Sequence, residues 1–95
     1  MYKVGRRFEY YVKHKFEKQG ALVIRSAGSH SPFDLIAITP DCIWFIQCKR
    51  AKKISLKKLK EELKAIKDKY FPQIEKVRIA IVYSQDRKVQ IEEII

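Results

Sequence analysis

The stretch Cys42-Ile43-Trp44-Phe45-Ile46-Gln47-Cys48-Lys49 constrains this chain more than any other. It is rich in β-formers, and apolar residues occupy both its odd and its even positions. Successive strand residues point to opposite faces, so both faces of this segment need cover. A strand buried on both sides belongs in the middle of a sheet with further layers on either side. The rest of the chain supplies those layers. Over residues 2–19, Val4, Phe8, Tyr11, Val12 and Phe16 recur at helical spacing on one face, and Gly20 stops the helix. Ser55 caps a second helix that runs to about Tyr70, with Leu56, Leu59, Leu63, Ile66 and Tyr70 in one stripe, and Phe71-Pro72 ends it. Residues 21–26, 33–38, 76–83 and 87–93 read as further strands. Residues 27–32 form a loop by composition, and Thr39-Pro40-Asp41 forms a turn. The order αβββαββ predicts an α/β fold with a central mixed sheet.

Ninety-five residues predict one domain, 1–95, with a single economical core. The balance of 46% hydrophobic and 34% charged residues excludes a disordered chain. No apolar run approaches the ~20 residues that span a bilayer, and the N-terminus leads into no secretory signal, so no membrane is expected. A cytoplasmic protein is expected. Cys42 and Cys48 lie six apart in one strand, about 20 Å from each other, too far to bridge. Without a C-x-x-C pair or a Cys/His cluster, no zinc site is expected either. Twenty-one Lys plus Arg against eleven Asp plus Glu leave a net charge of +10. That excess favours a polyanionic partner, nucleic acid before anionic membrane.

Three polar residues on apolar strands need an explanation. Asp34 opens one strand; Gln47 and Lys49 close another and share a face. A hairpin through Pro40-Asp41 pairs Ile38 with Ile43, Ile36 with Phe45 and then Asp34 with Gln47. A one-residue slip would put Asp34 on the other side. This register gathers a carboxylate, an amide oxygen and an ammonium at one end of the hairpin. Such a set suits metal-assisted phosphodiester hydrolysis. Asp34 and Gln47 supply oxygens to a hard cation, a carbonyl near Cys48 adds a third, and Lys49 orients the attacking water. The plainer alternative makes Asp34 and Lys49 an ion pair, with Gln47 packed beside them. Glu9 lies at the margin of the first helix's apolar stripe, within about 20° of Phe16 on the wheel. It joins the metal site or pairs with Arg6 or Lys13 at the surface.

The segments Gly5-x-x-x-Glu9, Val23-Ile24-Arg25-x-x-Gly28-Ser29, Pro32-Phe33-Asp34-Leu35-Ile36-Ala37 and Phe45-Ile46-Gln47-Cys48-Lys49 resemble the archaeal and viral Holliday junction resolvases of the PD-(D/E)xK nuclease superfamily. The resemblance implies a restriction-endonuclease-like fold and a Mg²⁺-dependent endonuclease, with Mn²⁺ as a substitute. It implies that Asp34, Gln47 and Glu9 bind the metal, that Lys49 assists the water, and that Arg25 and Ser29 meet DNA near the scissile phosphate. It also implies a homodimer that nicks two strands of a four-way junction. The motif usually has Glu where this chain has Gln47, which keeps an oxygen but removes a negative charge. Arg6, Arg7, His30, Arg50, Lys52 and Lys53 complete the expected DNA-contacting set, the last three following the site directly. Two other readings remain at this point. One is a relative that binds branched DNA without cutting; the other is a repair or defence nuclease with another DNA target.

Overall fold

Ile43–Arg50 takes the middle place in a five-stranded sheet. The structure, a computed structural model, describes residues 2–26, 31–50, 56–71, 75–85 and 88–94, with side chains from Arg7 onward. Its elements are α1 (Tyr2–Lys18), β1 (Leu22–Arg25), β2 (Leu35–Ile38), β3 (Ile43–Arg50), α2 (Leu56–Tyr70), β4 (Val77–Gln85) and β5 (Lys88–Ile94). They follow the expected αβββαββ order, and spatial order in the sheet equals chain order. β1–β2, β2–β3 and β4–β5 run antiparallel; β3 and β4 run parallel. A parallel pair cannot be closed by a tight turn, and α2 is the crossover that joins it.

The α1-side core gathers Phe8, Val12, Val23, Leu35, Ala37, Ile46, Cys48 and Val82. The α2-side core gathers Phe33, Leu63, Ile79, Ile81, Tyr83 and Ile94, with Phe45 and Phe71 packed against it. Even-numbered residues of β3 thus serve one core and Phe45 the other, as its two-sided apolar pattern requires. The strand most completely buried is nevertheless β4, where residues 79–83 are all buried. β4 lies between two long strands. In β3, Ile43, Trp44 and Phe45 stay half-buried although all three pair with β2.

Two expected core aromatics lie outside the core. Tyr11 is 49% exposed, because it sits at the edge of the α1 stripe; its ring lies over Phe8 and carries the Lys15 ammonium. Tyr70 falls on the α2 stripe by angle, but it is the helix's last residue and 61% exposed. Phe71 takes its place, packing on the Phe45 ring at 5.0 Å. Both cysteines are free. Ser55, Pro72 and Asp86 lie outside the described residues.

The chain turns off α1 at Gly20, whose φ of +93° only glycine adopts freely. Gly20 N–H donates to Glu17 O and Ala21 N–H to Phe16 O, so two terminal carbonyls are satisfied in the Schellman pattern. The β2–β3 hairpin closes through Thr39 N–H to Cys42 O at 2.9 Å. The Thr39 hydroxyl stitches the turn by accepting from Cys42 N–H and donating to Cys42 O.

Candidate active site

The β2–β3 register is the one expected from the hairpin: Ile38 faces Ile43, Ile36 faces Phe45 and Leu35 faces Ile46. At Asp34 the ladder changes. Its N–H donates to Ile46 O at 2.9 Å, although Ile46 already stands opposite Leu35. Two residues of one strand against one of the other is a β-bulge, a device that re-aims a side chain. Packing shows the same break. Phe33 and Leu35 are two apart, yet Phe33 belongs to the α2-side core and Leu35 to the α1-side core. The simple pairing of Asp34 with Gln47 therefore needs correcting. The bulge swings the carboxylate along β3, and its Oδ2 accepts the N–H of Cys48 at 2.8 Å.

That placement half-buries Asp34 and holds its pKa above the ordinary carboxylate value. Burial is the main cause. The Cys48 N–H opposes it, Glu9 adds to it, and the cations Lys49 and Arg25 pull the other way. The Cys48 thiol is likewise pushed up, first by burial and then by the charges of Asp34 and Glu9. Asp34 thus stands against Cys48, and the charges of Glu9, Lys49 and Arg25 act on it.

Glu9 is held from another direction than expected. Its Oε1 accepts from Arg25 Nε at 2.9 Å, with the two side chains 20% and 24% exposed. Lys13, one of its two expected surface partners, pairs with Glu17 instead. The Arg25 guanidinium also lies 5.2 Å from the centre of the Tyr10 ring. Tyr10 escaped the sequence reading, because nothing in the spacing joins α1 to β1; only its place beside Glu9 pointed to it. Gln47 is half-buried and its amide donates to Cys48 O at 3.3 Å. The carbonyl considered as a third metal donor thus already has a partner. Lys49 and Arg50 project from the end of β3 and are exposed, as is Arg7 on α1. Ser29, His30, Lys52, Lys53 and the side chain of Arg6 lie outside the described residues. His14 is engaged with Glu17 on the surface, and Trp44 is covered by the Arg78 guanidinium at 4.8 Å.

Among the described residues, no group of three or more His, Cys, Asp or Glu is placed to hold a metal. The residues expected to hold one, Glu9, Asp34 and Gln47, would supply two carboxylates and one amide. Such hard donors fit Mg²⁺ or Mn²⁺ rather than a soft metal.

A family model described as archaeal Holliday junction resolvase (Hjc) matches residues 1–93. The chain belongs to this family. The resolvase also resembles the solved structure of Archaeoglobus fulgidus Hjc, a Holliday junction resolvase from an archaeal hyperthermophile. The TM-score is 0.67 at 20% sequence identity, over 95% of this chain and 72% of that one. At that identity the likeness bears on the fold, and it agrees with a restriction-endonuclease-like architecture. No curated protein matches. Family membership makes the chain a junction-resolving endonuclease, and nucleases of this kind are generally metal-dependent. No helix among the described residues is long and apolar enough to cross a membrane.

Proposed function

We propose that this resolvase cuts four-way junctions by Mg²⁺-assisted hydrolysis at the open end of the β2–β3 hairpin, with Mn²⁺ able to substitute. The observation that carries the reading is the bulge at Asp34, which turns a half-buried carboxylate toward Glu9 and within the field of Lys49. Asp34, Gln47 and Glu9 would hold the cation, which when bound supplies an activated water and offsets charge on the phosphate. Asp34 keeps one oxygen fixed on the Cys48 N–H, so its other oxygen is pre-aimed. Lys49 is free to orient the water and to face the phosphate. Arg50 continues the positive edge past the site, and Arg6, Arg7, Arg25, Ser29, His30, Lys52 and Lys53 are assigned to the DNA backbone on the family pattern.

The domain, 1–95, works as a homodimer inside the cell, because a four-way junction is two-fold symmetric and paired nicks need two sites. Asp34→Ala and Lys49→Ala are each expected to abolish cleavage of labelled four-way junction in Mg²⁺ while leaving junction binding within a few-fold of wild type. Near-normal cutting by both variants would remove this end of the hairpin as the site.

A further inference from the structure

The ion pair between Glu9 and Arg25 sets a problem for the site just proposed. A divalent cation gains most where negative charge is already gathered. Here Gln47 brings no charge, and the formal charges of Glu9 and Asp34 are cancelled by those of Arg25 and Lys49. Glu9 is also occupied: its Oε1 receives the Arg25 Nε at 2.9 Å, in a pair shielded enough from water to matter. Arg25 is steadied on its other side by the Tyr10 ring. Yet a guanidinium has five donors, and bidentate exchange onto a phosphate suits it better than any other side chain.

We infer that Arg25 is a latch on Glu9, opened by exchange onto a DNA phosphate, so that junction and metal bind cooperatively. The inference rests on the metal-assisted reading above. In the free protein Arg25 keeps Glu9 neutralised and the site weak for cations. When DNA arrives, Arg25 trades a carboxylate for a phosphate. Glu9 is released, and the phosphate brings the charge that Gln47 lacks. Tyr10 is a positioning residue: its ring holds the guanidinium between its two partners. The resolvase is thereby kept from loading metal, and from idle chemistry, away from DNA. Linkage requires the converse as well: metal must tighten the junction by the same factor.

The test is Mn²⁺ binding, read by the loss of the free-ion paramagnetic resonance signal, with and without saturating four-way junction. All titrations, with and without DNA, use a Lys49→Ala background, so that turnover is prevented and the removed ammonium is common to every comparison. With Arg25 present, the junction is expected to tighten Mn²⁺ binding by about tenfold or more. Arg25→Met is expected to bind Mn²⁺ about tenfold more tightly than wild type without DNA, to bind junction more weakly, and to lose most of the DNA-dependent gain. Tyr10→Phe should behave as wild type, whereas Tyr10→Ala should move part-way toward Arg25→Met. Equal Mn²⁺ affinity of the free wild-type and Arg25→Met proteins would overturn the latch, as would a junction-dependent gain that survives without Arg25. If Arg25→Met shows no melting transition, Arg25→Lys reads the same exchange, with a smaller gain expected and no gain overturning it. Asp34→Ala separates the two levels of the argument. Mn²⁺ binding that persists in that variant would place the metal elsewhere and sink the underlying reading, and the latch with it.

Discussion

Asp34 carries a cost that its surroundings only partly offset. Burial and the nearby Glu9 raise its pKa, while one backbone N–H and two cations lower it, and the net direction is upward. The folded chain therefore holds this proton more tightly than the unfolded chain does. Below the unfolded value of 3.8 both states are protonated and nothing is lost. Between that value and the raised folded pKa stability falls as pH rises, and above the folded pKa the whole cost is present. Asp34→Asn keeps an oxygen for the Cys48 N–H but no charge. It is expected to melt a few degrees above wild type at pH 7, with the gain vanishing near pH 3, and to have no cleavage activity. Thermal melts across that range check the sign; a variant less stable than wild type at pH 7 would mean that the carboxylate's charge is satisfied after all.

Gln47 admits an equally direct comparison. Gln47→Glu adds an anionic oxygen, so the Mg²⁺ dependence of cleavage should move to lower concentration. Gln47→Leu should abolish cleavage at every Mg²⁺ concentration tested. Normal cutting by the Leu variant would leave only Glu9 and Asp34 as ligands.

The elements show how far sequence carries and where it stops. Strand periodicity and the Pro40-Asp41 turn were enough to place the register of Leu35–Ile38 on β3, because one slipped residue would expose every apolar side chain there. The bulge was not legible. Phe33, Asp34 and Leu35 alternate like any strand entry, and the two-against-one pairing is decided by Cys48 and Ile46, which lie far along the chain. The Arg25 partner of Glu9 was hidden for the same reason, since a helix wheel shows which way a side chain leaves α1 but not what β1 brings to meet it. Tyr70 failed differently: it lies on the stripe, but it ends α2 exposed, and the next residue, Phe71, makes the contact with Phe45 instead.

Local signals succeeded where their cause is local, and the α1 stop is the clearest case. Nothing lies within 4 Å of a Cβ placed on Gly20, so Gly20→Ala meets no clash and pays only for its left-handed backbone. The expected loss is about 1 kcal/mol, or about 4–8 °C in Tm for a domain this size. Cleavage below the transition should be unchanged, because the turn lies at the other end of β1 from Arg25 and more than two helical turns along α1 from Glu9. A melting temperature equal to wild type would show that the turn relaxes to another conformation.

At the scale of the molecule, the two sheet faces are unequally covered. On the α2 side, the helix packs with Phe45, Ile79, Ile81 and Ile94, toward β4 and β5. The β1–β2 part of that face has Leu22 opposite Ile38 and Ile24 opposite Ile36, four aliphatic side chains in one block. Leu22 is 64% and Ile24 48% exposed. Contiguous apolar surface on an edge strand is a liability unless something covers it. The homodimer proposed above would place a second copy there, in keeping with the two-fold symmetry of the junction. A charge set into this apolar block would be left without a partner in the contact, so one substitution is expected to part the subunits. Leu22→Lys and Ile38→Lys, both remote from Asp34, are each expected to shift the light-scattering mass from twice 11.3 kDa toward 11.3 kDa. The same variants should still bind junction, more weakly, and their products should change from paired nicks to single, uncoupled ones. Dimers that persist in both variants would place the subunit contact on another surface. A wild-type chain that is monomeric at micromolar concentration, with and without junction, would remove the paired-site geometry altogether.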